Sequence, residues 1–242
     1  MAQVDDRQAG EWKGAALQEK AKEVVDVIAG GGVAIIPLDV AYGIVGNAEA
    51  AIKKIFTAKN RSYEKPSGCF SNWEIFNEIQ ITDQRQKDVV KAIIIDNDLP
   101  FSTVAPFRDD HPFFRNVAPF VLQNSTKAGT IDMLLNAGPF HDAMTTLAWS
   151  RQMPILGSSA NTSLTGSKYR LEDIDEPVRA AADIQVDGGL SKYHNPEGLS
   201  STIVDLRTFK TWRRGVCYDR IAAILKKDFG IDLYELGMAT AS

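Results

Sequence analysis

The chain has 242 residues, of which 44% are hydrophobic and 24% charged, and its formal net charge is −4. This acidic balance argues against a protein whose whole surface binds nucleic acid. No apolar run approaches membrane-spanning length and the first residues lack the core of a signal peptide, so we expect a protein that does not enter a membrane. Two distant cysteines suggest no disulfide framework, which leads us to expect a cytoplasmic protein, and three scattered histidines suggest no zinc site.

The apolar pattern predicts helices and strands that alternate through the first half of the chain. Residues 17–28 have helical spacing and end at Gly30–Gly32, a glycine run that closes a helix and therefore predicts a C-cap, not a dinucleotide loop. A strand over 33–38 and a second helix over 48–56 follow. Further strands are predicted at 67–71, 102–107, 129–135, 153–159, 183–189, 201–206 and 209–215, and further helices at 72–79, 83–95, 140–151 and 218–228.

This order of elements predicts an α/β fold: a single domain with a twisted mixed β-sheet flanked by helices. Low-complexity linkers and internal repeats are missing from the sequence. We expect residues 1–16 to be a polar lead-in that is disordered or loosely docked, and residues 17–230 to form the domain. Residues 231–242 are expected to be a C-terminal tail, frayed over ELGMATAS (235–242).

Two short polar segments are candidate sites. The segment AKNRSYEKPSG (58–68) contains Lys59, Arg61 and Lys65, and in an extended loop the first two would point the same way. Arginine binds phosphate as a fork and lysine as a point charge, although the segment alone is more simply interpreted as a solvated loop. In GSSANTS (157–163), Ser159 and Asn161 alone indicate turn chemistry.

Two common catalytic motifs do not occur in the sequence. Without GxxxxGK[ST] the chain is not a P-loop ATPase. The segment GSSAN does not match GxSxG and no histidine stands in a suggestive relation to it, which argues against a hydrolase nucleophile.

Six segments occur in an order that resembles a known family. They are GGGVAIIPLDVAYGIVGNA, KNRSYEKP, PILGSSANTS, DGG, GLSSTIVDL and WRRGV. Their order and spacing are similar to those of the YrdC-like family, the threonylcarbamoyl-AMP synthases. The resemblance covers about residues 17 to 216 and implies the YrdC-like fold with its large concave site.

The resemblance also implies roles for individual residues. Lys59, Arg61, Ser159 and Asn161 match the family's catalytic tetrad, which lines a site for ATP and the carboxylated amino acid. Further positions are implied in substrate or nucleotide binding: Asp39, Tyr42, Lys65, Thr103, Ser201, Thr202 and Arg213.

The implied reaction joins L-threonine, bicarbonate and ATP into threonylcarbamoyl-AMP and pyrophosphate, with Mg²⁺ as cofactor, for the t6A modification of tRNA. Phosphoryl chemistry depends mainly on positioning and on neutralising charge. We therefore expect Lys59 and Arg61 to hold the phosphates and the carboxylate, while Ser159 and Asn161 orient them. The product is labile, so the resemblance implies a tRNA-modifying transferase as partner.

The sequence departs from the family pattern at residues 38–40, 99–103 and 129–139. Leu38 and Val40 stand where the family has hydroxyl residues. The arginine that the family places after a Gly-Thr strand is also missing, and losing such a charge partner weakens anion binding about a hundredfold.

These departures leave alternatives open. One is a double-stranded RNA-binding protein without this activity, which would use the local cations Lys53, Lys54, Lys59, Arg61 and Lys65. The other is a carbamoyl-adenylate enzyme with a different acceptor.

Overall fold

The centre of the fold is a mixed, twisted β-sheet, seen in a computed structural model that describes residues 3–4 and 12–240. Within these residues the sheet has eleven strands in the order β1-β9-β2-β3-β8-β4-β7-β5-β10-β11, with β6 paired to β7 off this path. The strands are β1 Gln3–Val4, β2 Ala34–Ile36, β3 Gly43–Gly46, β4 Gly68–Phe70, β5 Phe101–Pro106, β6 Thr126–Lys127, β7 Thr130–Leu135, β8 Ile155–Ser159, β9 Ile184–Gln185, β10 Ile203–Asp205 and β11 Thr211–Arg213.

Helices flank this sheet. They are α1 Gly14–Ala29, α2 Glu49–Ala58, α3 Trp73–Ile79, α4 Gln84–Lys91, α5 Pro119–Gln123, α6 Pro139–Ser150, α7 Glu176–Ala180, α8 Tyr218–Phe229 and α9 Leu233–Leu236. A π-helix, Ala92–Asp96, continues α4, and a 3₁₀-helix lies at Pro112–Phe114. Among the described helices none is long and apolar enough to cross a membrane.

The sheet contains both strand directions, which confirms the predicted mixed α/β class. Strand β8 runs antiparallel to β3 and β4, whereas β4 runs parallel to β7. Strand β5 is antiparallel to β7 and parallel to β10, and β10 and β11 form a late antiparallel pair. Parallel pairs need long crossovers, and the helices between the strands supply them.

Alternate residues of the strands pack against helices on opposite faces. In β2, Ile35 joins a cluster with the buried side of α2, whereas Ala34 and Ile36 join a cluster with α1 and α6. This alternation follows from the two-residue period of a β-strand. A third cluster packs α4 and α8 against β5 and β10.

The first helix ends as the glycine run predicts. Gly30 is the C-cap of α1, and its N–H donates to the carbonyl of Asp26 at 3.0 Å. Gly31 follows with φ 87°, a conformation that favours glycine because it has no side chain. The helix C-cap interpretation of this run is confirmed.

The chain termini differ from the prediction. The expected fraying of the C-terminal tail is wrong through residue 239, because α9 forms and the N–H of Ala239 donates to Thr211 at 2.8 Å. At the other end α1 starts at Gly14, Trp12 is buried, and Gln3–Val4 pair with β9. The rest of the predicted lead-in, residues 1–2 and 5–11, lies outside the described residues, and the domain limits stay a prediction.

Several elements have no counterpart in the apolar pattern. Strand β3 was not predicted because its sequence, GIVG, begins and ends with glycine, which usually weakens a strand. The helices α5, α7 and α9 have only four or five residues each, too few for a helical period to show.

Candidate functional site

A concave cavity of about 230 Å³ opens over the middle of the sheet. We call it the polar hollow and define it by six polar side chains that line it: Arg61, Ser102, Asp132, Ser159, Ser201 and Arg213. Phe70 and Leu134 form an apolar part of its wall and also pack against the cluster that contains α1 and α6. The hollow therefore lies on that face of the sheet.

Lys59 joins the two polar segments by hydrogen bonds. Its side chain is 1% exposed, and Nζ donates to the carbonyl oxygens of Ser159 and of Asn161, the latter at 2.5 Å. Ser159 Oγ donates to Asn161 Oδ1 at 2.5 Å. The structure thus brings three residues of the predicted tetrad together, with the lysine beneath the turn and Ser159 facing the hollow.

The buried position changes the acidity of Lys59. Burial, together with the nearby positive charge of Arg61, lowers the pKa of Lys59 to about 7, and Asp175 acts in the opposite sense. The two carbonyl acceptors also favour the charged ammonium form. An ammonium group with two backbone acceptors is suited to holding the turn in place.

The loop that contains Lys59 and Arg61 is not extended as the sequence suggested. Lys59 is the C-cap of α2 with helical angles, and Asn60 adopts a left-handed φ of 49°. The two side chains therefore diverge, and Arg61 alone of the pair lines the hollow. Its Nε and Nη2 donate to the carbonyls of Lys65 at 3.1 Å and Pro66 at 2.7 Å, which fixes the guanidinium.

Arg213 enters the hollow from β11, opposite the loop of Arg61. Its Nε donates to the Ser201 carbonyl and its Nη2 to Ser201 Oγ, both at 2.9 Å. Ser201 Oγ lies 2.8 Å from Ser102 Oγ. Arg213 is exposed to solvent. The surrounding protein nevertheless lowers the pKa of its guanidinium, and the nearby negative charge of Asp132 only partly offsets this lowering. Two fixed guanidiniums with neighbouring hydroxyls suit an anion such as phosphate.

Thr202, the residue after Ser201, has a structural role. Thr202 is fully buried, and its Oγ1 donates to the Val216 carbonyl at 3.0 Å and accepts from the Gly215 N–H at 3.1 Å. Thr202 therefore supports β10 from beneath and does not line the hollow.

Tyr42 and Asp39 lie on different sides of the segment after β2. Tyr42 contributes to the wall of the hollow, and its hydroxyl donates to the Gly189 carbonyl at 2.9 Å and accepts from the Gly188 N–H at 2.9 Å. Burial raises the pKa of this hydroxyl. Asp39 instead lines a separate cavity of about 200 Å³, 3.8 Å from Lys192 Nζ. The structure does not bring Asp39 into the hollow.

Two other predicted residues lie away from the hollow. Thr103 is fully buried on the opposite face of β5, where its Oγ1 donates to Gln80 Oε1 at 2.9 Å. Ser102, one position earlier, lines the hollow in its place, because successive residues of a strand face opposite sides. Lys65 is exposed and contributes its backbone carbonyl to Arg61.

Asp132 is a residue of the hollow that the sequence analysis missed. It lies on β7, and burial raises the pKa of its carboxyl to about 6, against the lowering effect of Arg213 and Arg61. The signal was present: in the strand TIDMLL a single charged residue stands among apolar ones. A charge at such a position indicates function or a specific partner.

The cations proposed for RNA binding do not form one open patch. Lys53 pairs with Glu49 at 2.6 Å and Lys54 with Asp183 at 3.3 Å. Lys59 is buried and Arg61 faces the hollow. This arrangement weakens the RNA interpretation, which stays a prediction.

The part of the chain that the structure describes offers no group of three or more His, Cys, Asp or Glu side chains that could hold a metal ion. The hollow supplies one carboxylate, Asp132. A Mg²⁺ ion bound here would therefore take most of its ligands from phosphate oxygens and water, as this ion usually does.

Comparison with known proteins identifies the class to which this fold and hollow belong. The profile of the Sua5/YciO/YrdC family, described as telomere recombination, matches residues 26–215. The chain therefore belongs to the Sua5/YciO/YrdC family, as the resemblance implied.

Solved structures share the fold. A variant of P. abyssi Sua5 matches with a TM-score of 0.72 and 20% identity, over 96% of this chain and 61% of that one. A hypothetical protein from Streptococcus mutans UA159 matches with a TM-score of 0.73 and 16% identity, over 96% of both chains. E. coli YciO matches with a TM-score of 0.65 and 19% identity, over 89% of this chain and 97% of that one. The chain thus spans 61% of the length of the matched Sua5 variant.

Two further matched structures contain ligands. P. abyssi Sua5 complexed with L-threonine matches with a TM-score of 0.65 and 21% identity, over 82% of this chain and 54% of that one. HypF in a phosphate- and nucleotide-bound form matches with a TM-score of 0.57 and 15% identity, over 76% of this chain and 27% of that one. At such identities these likenesses show the fold alone.

Proposed function

We propose that this protein is an ATP-dependent nucleotidyltransferase that makes threonylcarbamoyl-AMP and pyrophosphate from L-threonine, bicarbonate and ATP. The observation that carries this proposal is the pair of guanidiniums, Arg61 and Arg213, that face one hollow between serine hydroxyls. The L-threonine complex of Sua5 and the phosphate- and nucleotide-bound HypF support a site of this kind.

In this proposal the two arginines hold phosphate oxygens and neutralise their charge. Each guanidinium is already fixed by hydrogen bonds, Arg61 to Pro66 and Arg213 to Ser201. A donor that is fixed before the substrate arrives loses little conformational freedom on binding, which favours catalysis by positioning. Ser102, Ser159 and Ser201 supply hydroxyls that orient the bound anion.

Lys59 acts through the turn in this account, as a positioning residue. Its ammonium is hydrogen-bonded to the carbonyls of Ser159 and Asn161, so it sets where Ser159 Oγ lies in the hollow. This differs from the direct phosphate contact that the sequence analysis expected of Lys59. Asn161 also acts within the turn, because its Nδ2 donates to the Thr162 carbonyl at 2.6 Å.

The proposed chemistry places little demand on proton transfer at phosphorus. The uncharged amine of the acceptor attacks the carbon of bicarbonate, a C–O bond of bicarbonate breaks, and an N-carboxylate and water are formed. An oxygen of this carboxylate then attacks the α-phosphorus. The bond from the α-phosphorus to the bridging oxygen breaks, and pyrophosphate leaves. Mg²⁺ would enter with the nucleotide and neutralise phosphate charge. We propose that a tRNA-modifying transferase collects the labile adenylate.

The same site could serve a different amine, and one observation favours this second candidate. Leu38 and Leu134 line the hollow as apolar groups. An apolar wall accepts methyl and methylene groups well but cannot bind a carboxylate or a hydroxyl by hydrogen bonds. The acceptor would then be an amine other than L-threonine, with the chemistry at phosphorus unchanged.

The experiment is to incubate the protein with ATP, Mg²⁺, bicarbonate and L-threonine and to measure pyrophosphate release. We expect release that requires both bicarbonate and the amino acid. Arg61→Ala should lower kcat/KM for ATP by roughly a hundredfold, because it removes a charged partner of the phosphates.

The matched control is Lys227→Ala, which removes one positive charge from a side chain of α8 that is 85% exposed. This variant should keep full activity. An absence of pyrophosphate release with L-threonine and with every other common amino acid would contradict the proposal.

A further inference from the structure

Asp132 presents its carboxylate to the polar hollow. Ile131, Met133 and Leu135 of β7 are buried in the core, so the alternation of the strand turns Asp132 and Leu134 to the other face, where both line the hollow. Its Oδ2 lies beside the backbone of Gly68. A Cβ atom added to Gly68 would stand 3.5 Å from this oxygen. Its Oδ1 is buried and has no hydrogen-bond partner among the described residues.

The positive charges of the hollow do not satisfy this carboxylate. Arg61 and Arg213 stabilise its charged form from a distance, but within the described part of the chain Asp132 forms no ion pair within 4.0 Å. The arginines donate elsewhere, to Lys65, Pro66 and Ser201. A largely buried carboxylate that accepts no hydrogen bond is unfavourable, and a donor that enters the hollow would meet this one at Oδ2.

The hollow therefore offers two kinds of binding group. Arg61 and Arg213 suit an anion. Asp132 Oδ2, which lies by Gly68 in the wall of the hollow and accepts no hydrogen bond within the described residues, suits a cation or a strong hydrogen-bond donor. A ligand that fits both carries negative charge at one end and an amine at the other. An amino acid beside the phosphates of ATP meets this description.

We propose that Asp132 binds the ammonium group of the acceptor and so restricts the site to free amines. This assignment rests on the proposed function, because it names how that site selects its second substrate.

A metal ion is the other cation to consider, and the surroundings favour the amine. Leu134 and Phe70 lie on the same part of the wall, and both are apolar. Mg²⁺ keeps several waters and prefers a site with further oxygen ligands. An ammonium on a carbon chain can contact a carboxylate and an apolar wall together.

The test compares wild type with Asp132→Asn, which keeps the shape of the side chain and removes its charge. Both proteins are saturated with ATP and Mg²⁺ and titrated with L-threonine, L-serine and glycine, each paired with its N-acetyl derivative. Wild type should bind at least one free amino acid roughly tenfold or more tightly than its acetylated form. Asp132→Asn should lose this preference and keep its affinity for ATP.

The control is Asp228→Asn, which removes the same charge from α8 at a side chain that is 44% exposed. It should bind all ligands as the wild type does. A second titration measures the Mg²⁺ concentration that each protein needs. If Asp132→Asn changes that requirement but still prefers free amino acids, Asp132 is a metal ligand and the assignment is wrong.

The outcomes separate this assignment from the proposed function. If wild type binds ATP and Asp132→Asn prefers free amino acids as strongly as wild type, the assignment fails and the proposed function stands. If ATP does not bind, the same titrations are made without nucleotide. A preference for free amines that Asp132→Asn removes then overturns the proposed function, while Asp132 keeps its role as the ammonium-binding residue of the hollow. If wild type prefers no free amine of the three, the assignment is overturned.

Discussion

Asp132 on β7 and Asp205 on β10 are carboxylates of one sheet, separated by β5, and their surroundings shift their pKa values in opposite directions. Asp132 has no close cation, so burial raises the pKa of its carboxyl to about 6 from an ordinary value of 3.8. Burial also acts to raise the pKa of Asp205, but two hydrogen bonds from the Arg207 guanidinium, at 2.6 and 2.9 Å, lower it overall. Stability should therefore respond to pH differently at the two sites.

We expect Asp132→Asn to become more stable relative to wild type as the pH rises from 4 to 7. Between pH 3.8 and about 6 the folded wild type holds a proton on Asp132 that the unfolded chain has lost. Wild type thus loses stability as the pH rises through this range, by at most about 3 kcal/mol. Thermal melts of both proteins across the pH range measure the difference.

Asp205→Asn is the matched comparison and should behave in the opposite way. The folded pKa of Asp205 is depressed, so its ion pair with Arg207 stabilises the wild type above the ordinary pKa of 3.8 and is lost as the pH falls below it. This variant should be less stable than wild type at neutral pH and approach it in acid. Two variants with the same pH dependence would contradict the distinction.

At the scale of elements, β8 and β4 each place a glycine at the same level of the sheet. Gly157 and Gly68 are register partners, but their surroundings differ. A methyl group at position 157 would lie 2.1 Å from the Ile44 carbonyl oxygen and 2.9 Å from Val45 Cα, both in the backbone of β3. A methyl group at position 68 would meet Asp132 Oδ2 at 3.5 Å, an ordinary contact.

We expect Gly157→Ala to lower the free energy of unfolding by roughly 1–3 kcal/mol, because strands β3 and β8 must separate to admit the methyl group. Gly68→Ala should change it by about 0.5 kcal/mol or less, since its methyl group enters the open hollow. Urea denaturation at neutral pH measures both variants. Equal losses of stability would contradict the prediction that the sheet is packed more closely around Gly157 than around Gly68.

Elements with long apolar periods could be predicted from sequence, whereas the faces of short strands could not. Helix α2 buries Ala51, Ile52, Ile55 and Phe56 because these positions recur at helical spacing. For β5 the pattern indicated a strand but not its register, and a shift of one residue exchanges Ser102 for Thr103 in the hollow. The pairing of β5 with β7 and β10 sets this choice, and that pairing is not visible in a local pattern.

The direction of the Lys59 side chain likewise could not be predicted from the local sequence. The sequence shows a lysine and an arginine two positions apart, which an extended loop would align. The left-handed conformation of Asn60 turns the chain between them, and Lys59 is drawn to carbonyls about a hundred positions away. A local motif predicts that such charges matter, but their partners depend on the tertiary fold.

At the scale of the whole molecule, the polar hollow is a product of strand order. Its six defining side chains come from six separate segments between Arg61 and Arg213. The strands β8, β4, β7, β5, β10 and β11, with the loop before β4, bring them to one face. The resemblance to a family supplied most of these positions. Asp132 was not among the positions that the resemblance supplied. Its charge stands out in the strand TIDMLL, but the fold was needed to show that it faces the hollow.

A calorimetric titration with ATP and Mg²⁺ tests the phosphate-binding role of the hollow in wild type, Arg61→Ala, Arg213→Ala and the exposed control Lys227→Ala. In the proposed function Arg61 and Arg213 hold the phosphates of one nucleotide. We expect one ATP per chain, roughly tenfold or more weaker binding in each arginine variant, and unchanged binding in the control. Wild-type affinity in both arginine variants, or no ATP binding by the wild type, would contradict it.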